Sequence, residues 1–329
     1  MSKFTRAAQT SQSLSLAAME EASRMGRREA DIDHMFLALV ISDQSAGRVL
    51  REIGIDLDAA RLAVEEQHEA QLASLGIDAS FPAPGRIVFQ ETDGYQWSKR
   101  ASDLIARSGG KEREGDAAAV LRELVIEPSG LILDILQRLG TTPAEVMGRL
   151  DHADATLPEA TPRRPQEKGR VSGTTEAFVP ASVDQVWEFL TDPSRVPDWE
   201  VSVGSIDATD ESARPGMLWQ GRAPQARPDG KPLKIKPQFH RRTIELVKAE
   251  QPAHVVWQFT YPDATHRGPT LTTFDLASTA GGTQVTITTS WARSTGWRRI
   301  VGLPMRPLLK FVIWIGLFQT GSAISRAFR

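Results

Sequence analysis

Hydrophobic and polar positions follow two different periods along this chain. Up to about residue 150 apolar residues recur at helical spacing. TSQSLSLAAMEEASRMG presents one apolar face and stops at Gly26, which predicts a first helix. Ile32, Met35, Phe36, Leu39 and Val40 predict a second, and Asp58 is expected to cap a third long segment reaching about Leu75. Residues 77–90 (IDASFPAPGRIVFQ) read as a breaker-rich connection, and no strand pattern is visible before residue 170.

From Val171 the pattern turns to alternation. Strand-like runs are SGTTEAFV (172–179), GMLWQGR (216–222), TIELVKA (243–249), HVVWQFT (254–260), TLTTFDLA (270–277) and TQVTITTSW (283–291). In the last, Val285, Ile287, Thr289 and Trp291 share a face, and turns such as TAGG (279–282) point to a mostly antiparallel sheet with hairpin connections. Two helices interrupt it. One follows Pro180, with a capping box from Ser182 and Gln185, an apolar face of Val183, Val186, Trp187 and Leu190, and an end at Asp192-Pro193. The other starts after Pro307 and contains LLKFVIWIGLF (308–318).

An internal repeat organises the first part. RVLREIGIDLDAARLAV (48–64) aligns without a gap with DILQRLGTTPAEVMGRL (134–150) at a shift of 86, pairing Gly54 with Gly140, and the same shift pairs MFLALV (35–40) with LRELVI (121–126). The expected organisation is therefore a helical domain over 1–150 with repeats at about 3–76 and 86–150, a Pro-rich linker over 151–169, and an α+β domain over 170–329.

Charge separates the same parts: residues 1–155 carry a net charge of -8 and the remainder +6, although the whole chain of 329 residues is nearly neutral at -2. Nothing in that balance favours nucleic acid. The absence of Cys rules out disulfides and thiolate chemistry, and MSKFTRAAQTSQ lacks the apolar core of a secretion signal, so a cytoplasmic location is expected. Between Lys310 and Arg326 lie 15 uncharged residues, including Gln319, Thr320, Ser322 and Ser325. That is short of the roughly 20 a spanning helix needs, so a buried or interfacial helix is expected.

FTRAA (4–8), EASRMG ending at Gly26, IDHMFLAL (32–39) and AGRVLREIGIDLDAAR (46–61) make residues 3–151 resemble the Clp N-terminal domain, an all-α double-repeat module. The resemblance implies reception of Clp protease components, tagged substrates or peptide-like ligands. It offers Thr5, Asp33 and His34 as a peptide- or phosphoarginine-type site, although Ala119 and Val120 stand where the second copy of the Asp-His pair would fall. No GxxxxGK[ST] loop accompanies it, since the GGK at 109–111 runs into Glu112, so the chain is not expected to drive unfolding itself.

FVPASVDQVWEFLTDPSRVPDWE (178–200) makes residues 170–329 resemble the SRPBCC superfamily, the helix-grip fold of START-like carriers and polyketide cyclase-like proteins. The resemblance implies an antiparallel sheet wrapped about a long C-terminal helix over an apolar cavity. Seven of the 8 tryptophans lie in this half, which suits either a pocket wall or a core. Trp219, Phe239, Trp257, Phe259, Phe274 and Trp291 are the pocket candidates, joined by Phe311 and Ile315 from the last helix. His240, His254, His266, Tyr261, Asp263 and Asp275 supply catalytic residue types, but their spacing marks no catalytic constellation and no metal site.

The resulting expectation is a non-enzymatic binding or adaptor protein, needing no cofactor, that takes a lipid- or polyketide-like small molecule. A cyclase- or dehydratase-like enzyme with a docking domain is the competing reading. A lipid carrier in weak peripheral contact with anionic membranes is a third, drawn from Arg293, Arg298, Arg299, Arg306, Lys310, Arg326 and Arg329 around the last helix.

Overall fold

The amphipathic run that stops at Gly26 forms α1 (Lys3–Arg24), followed by β1 (Glu29–Ala30), α2 (Ile32–Val40), α3 (Ser45–Glu52), α4 (Leu57–Ser74), β2 (Gln96–Trp97), α5 (Lys99–Ser108), α6 (Ala117–Val125), α7 (Leu131–Arg138) and α8 (Pro143–Ala155). This computed structural model describes residues 3–78, 84–88, 94–110, 114–155, 170–207, 213–227, 229–264, 267–292 and 306–329. The chain divides into two units, Met1–Glu159 and Ala160–Arg329.

In the N-terminal unit α2 is buried on every side, from Ile32 to Val40, and packs against α1, α3, α4, α5, α6 and α7. An all-round apolar helix is stable only with neighbours on all faces, and MFLALV is such a sequence. Helices α3 and α7 are both eight residues long, 86 residues apart, and close alike. Gly54 and Gly140 take left-handed φ values of 90° and 72°, and the next amide reaches back to Leu50 and Leu136 respectively at 3.0 Å. Only glycine enters that conformation without a Cβ penalty, which is why the repeat keeps it.

Three expectations are corrected here. Asp56, not Asp58, caps α4 by accepting the Ala59 amide at 2.8 Å, while Asp58 lies within the first turn and faces Arg61. Both positions favour an acid, so composition alone does not choose between them. A strand pairing does precede residue 170: β1 and β2 form a two-residue parallel ladder, Glu29 opposite Gln96 and Ala30 opposite Trp97, too short to show a period. Residues 151–155 of the expected linker are the last turn of α8; the rest of it, 156–169, lies outside the described residues.

The C-terminal unit contains β3 (Arg170–Val179), α9 (Val183–Thr191), a 3-10 turn at Pro193–Arg195, α10 (Val196–Trp199), β4 (Ser205–Ile206), β5 (Leu218–Arg222), β6 (Arg241–Glu250), β7 (His254–Thr260), β8 (Thr270–Thr279), β9 (Gly282–Ala292) and α11 (Arg306–Arg326). Its seven strands form one antiparallel sheet in the order β3-β9-β8-β7-β6-β5-β4. The alternation expected from sequence places Ile244, Leu246, Val255, Trp257, Phe259, Phe274, Leu276, Val285 and Ile287 in one core. The capping box is present as read, with Ser182 and Gln185 closing the first turn of α9.

Helix α11 lies on β3 and β9 at unusually close range. Gly173 has no room for a Cβ because Ile313 and Leu317 occupy it, and a Cβ on Gly321 would come within 2.9 Å of Ala177 Cβ. Small residues on both sides let helix and sheet backbones approach. Among the described side chains of the helix, Leu317, Thr320, Ala323 and Ile324 are buried, whereas Ile313–Gly316 are half-buried. Phe328 beyond the helix meets Phe189 of α9 edge-on at 5.2 Å. Among the described residues no helix is long and apolar enough to cross a membrane.

Candidate functional site

The inner face of the C-terminal sheet is an aromatic cluster built on Trp199. Helix α10 carries this indole over the middle strands, 5.1 Å from Phe274, 6.1 Å from Phe259 and 6.3 Å from Trp257, and Trp219 of β5 meets Trp257 at 5.7 Å. The tilted and edge-on geometries are those favoured by ring quadrupoles. Trp257 also donates its Nε1–H to the Leu190 carbonyl at 2.8 Å, which ties α9 to the sheet. The Nε1–H of Trp199 finds no acceptor among the described residues although the residue is fully buried. An unmatched buried donor costs about 1–3 kcal/mol, so this indole can gain from a bound acceptor.

Of the sequence-derived pocket candidates, Trp219, Trp257, Phe259 and Phe274 thus meet one another in the core. Phe239 lies apart in a 3-10 turn (Pro237–Phe239), edge-on to Tyr261 at 5.4 Å. Trp291 is half-buried on β9, opposite Val171 and Thr270. Ile315 is half-buried on α11, and the side chain of Phe311 lies outside the described residues.

A polar group that the sequence reading did not single out borders this cluster. Arg242 shares a strand face with Ile244 and Leu246 and is 4% exposed. Its guanidinium donates to the Phe239 carbonyl at 2.6 Å, to the His240 carbonyl at 3.4 Å and to Ser202 Oγ at 3.4 Å, and stacks 5.0 Å from the Tyr261 ring. Burial pulls this guanidinium below its ordinary range, while Tyr261 and Glu200 act in the opposite sense. Glu200, next to Trp199, accepts the Ser202 amide at 3.0 Å, and burial pushes its carboxyl up against the lowering pull of Ser202 and Arg242. The legible signal was a charge on the apolar face of the run RRTIELV, where an outward basic residue would have had the other parity.

The remaining catalytic types are engaged separately. His254 Nδ1 lies 2.8 Å from Asp275 across β7 and β8, His240 Nε2 lies 2.9 Å from the Ile235 carbonyl, and Asp263 pairs with Arg241. His266 lies outside the described residues. Among the described residues no group of three His, Asp or Glu could hold a metal ion.

In the N-terminal unit Asp33 and His34 are both 1% exposed. The α2 cap is Asp31, which also accepts Ser98 Oγ at 2.5 Å and the Arg100 guanidinium. Asp33 is held from within: His68 Nε2 of α4 is 2.7 Å from Oδ2, the His34 amide 2.8 Å from Oδ1, and Arg27 Nη1 4.0 Å away. His34 Nδ1 lies 2.7 Å from Asp33 and 3.2 Å from the Asp31 amide. The Asp31 amide donates to this nitrogen, which completes the capping box at the start of α2. The side chain of Thr5 lies outside the described residues. A groove of about 570 Å³ runs between α4 and α7, where Gln67 bonds to Asp134 and Arg138 at 2.8 Å each.

Burial alone would raise the Asp33 carboxyl, but hydrogen bonds from His34 and His68 outweigh it and hold the group far below the usual carboxylate range. A depressed folded-state pKa stabilises above the ordinary Asp range, and the stabilisation is lost as pH falls through that range toward the folded value. Asp33→Asn is expected to lower stability near neutral pH by about 1.5–3 kcal/mol and to flatten the acid limb of unfolding. The ellipticity at 222 nm through an acid titration checks this; an unchanged acid midpoint would remove Asp33 from the account.

No curated protein matches the chain. Solved structures similar to about half of it include a Chromobacterium violaceum protein (13% identity, 49% of this chain and 98% of that one, TM-score 0.34). A protein of unknown function from Staphylococcus aureus (12%, 48% and 94%, TM-score 0.36) and the major latex-like protein 151 of Panax ginseng (12%, 49% and 98%, TM-score 0.34) are others. Residues 170–313 match the family model described as polyketide cyclase / dehydrase and lipid transport, and this stretch is an SRPBCC-like domain of that kind.

Proposed function

We propose that the C-terminal unit binds a lipid- or polyketide-like small molecule without transforming it, and that the N-terminal unit is a Clp N-terminal-like docking module. The family match over residues 170–313 carries the ligand-binding part of this reading. The aromatic inner face, with an indole donor that lacks an acceptor among the described residues, supports it. The paired helices α3 and α7, with their common glycine closure, support the second half.

The test uses the full chain. Small molecules that co-purify are identified by mass spectrometry, added back, and recovered. A stoichiometric hydrophobic compound returned unchanged is expected. Its conversion would favour a cyclase- or dehydratase-like enzyme, and failure to retain or rebind any apolar compound would sink the carrier reading. For the N-terminal unit, titration with a purified Clp-type unfoldase and with arginine-phosphorylated peptide is expected to show saturable binding to one of them; none to either would leave the helical unit without a Clp role.

A further inference from the structure

Arg242, like Arg51 with its bonds to the Val40 and Ser42 carbonyls, is a buried arginine held by backbone oxygens, unlike most arginines of the protein. Arg61 is paired with Glu21, Arg107 with Glu123, Arg100 with Asp31, Arg122 with Asp151 and Asp154, and Arg241 with Asp263. Arg242 is buried and has no carboxylate at ion-pairing distance among the described residues; its acceptors are two carbonyls and a hydroxyl. Such acceptors fix the orientation of the fork without neutralising its charge, and a buried charge lacking a counter-ion is costly.

A second cation lies on the same aromatic pair. The Arg267 guanidinium is 5.2 Å from the Phe239 ring and 5.7 Å from the Tyr261 ring, while Arg242 is 5.0 Å from Tyr261. Arg267 is exposed and, among the described residues, likewise lacks a carboxylate partner. Two positive charges sharing one tyrosine repel each other, and an anion between or beside them relieves the repulsion. The internal acid within electrostatic reach, Glu200, is drawn toward its neutral form by burial and so offsets Arg242 only in part.

We propose that Arg242, with Tyr261 beside it and Arg267 at the rim, anchors a carboxylate carried by the hydrophobic ligand, so that the site takes amphipathic acids rather than neutral lipids. This rests on the ligand-binding reading of the C-terminal unit. The inward face of β6 presents the guanidinium beside Ile244 and Leu246, and the partly exposed rings of Phe239 and Tyr261 flank it, so an apolar body laid on those rings places its acid end at the fork. A planar guanidinium matches a carboxylate through paired N–H donors, a geometry a neutral ester cannot exploit to the same degree.

The experiment compares cis-parinaric acid with its methyl ester on the full chain, following the probe's own fluorescence at constant pH and salt. The acid is expected to bind about 10–100-fold tighter than the ester, as one charge-assisted contact implies. Arg242→Gln should bring the two together by weakening the acid and leaving the ester unchanged. Arg242→Lys retains the buried charge if the glutamine variant does not fold, and should keep part of the preference. Arg267→Gln, at an exposed position, should reduce it by only about 2–3-fold. Equal binding of acid and ester by the wild type, or a preference that survives both Arg242 substitutions, overturns the anchor while leaving ligand binding intact. Binding of neither probe overturns both.

Discussion

Replacing Trp257 by alanine is expected to lower the stability of the C-terminal unit by about 3–5 kcal/mol, the range for removing a large aromatic from a packed interior. The side chain is fully buried, meets Trp199 and Trp219, and donates to the Leu190 carbonyl. Alanine would therefore leave a cavity and an unmatched carbonyl at the end of α9. Trp257→Phe separates the two contributions: the ring contacts largely persist, while the hydrogen bond, worth about 1 kcal/mol, is lost. Urea unfolding followed by near-ultraviolet circular dichroism measures both. A loss under about 1 kcal/mol for the alanine variant would show that the indole borders open space instead of packing a core.

Arg61→Ala is expected to destabilise the N-terminal unit by about 3–5 kcal/mol, because it removes the cation bonded through two contacts to a fully buried carboxylate. Glu21 is fully buried on α1 and receives Arg61 of α4 through two bonds of 2.9 and 3.0 Å. The nearby Arg24 is pulled down by burial first and then by Arg61, while Glu21 acts in the opposite sense. Replacing both residues, as Glu21→Met with Arg61→Leu, should recover most of the loss, since a well-packed apolar pair avoids the desolvation of two charges. Thermal melts of the helical signal at 222 nm decide it. An equally unstable double variant would mean that shape, not charge, holds α1 to α4.

The legible parts of the site and fold were those written locally. Strand alternation located β7 at its observed bounds, and a capping box announced α9 because Ser182 and Gln185 are neighbours in the chain. The cap of α4 was misplaced by two residues, since Asp56 and Asp58 differ only in backbone geometry. The β1–β2 pairing escaped notice because its partners are separated by 67 residues and two residues carry no period. Helix α11 was expected to be buried or interfacial, and among its described side chains the buried ones begin at Leu317. Gly321 allows the close approach to Ala177, and hydropathy does not register the absence of a side chain.

By itself the sequence determined the change of period near residue 170, several of the longer helices and strands, and many of the apolar positions that turn inward, because each follows from propensity and spacing within a few residues. Only the tertiary structure decided that Trp257 packs against both Trp199 and Trp219, that Asp33 is engaged by His68, and that, among the described residues, Arg242 is buried beside Tyr261 with no acid at ion-pairing distance. Those are relations between groups far apart in the chain, and burial and charge pairing come into being only when the strands and helices close around them.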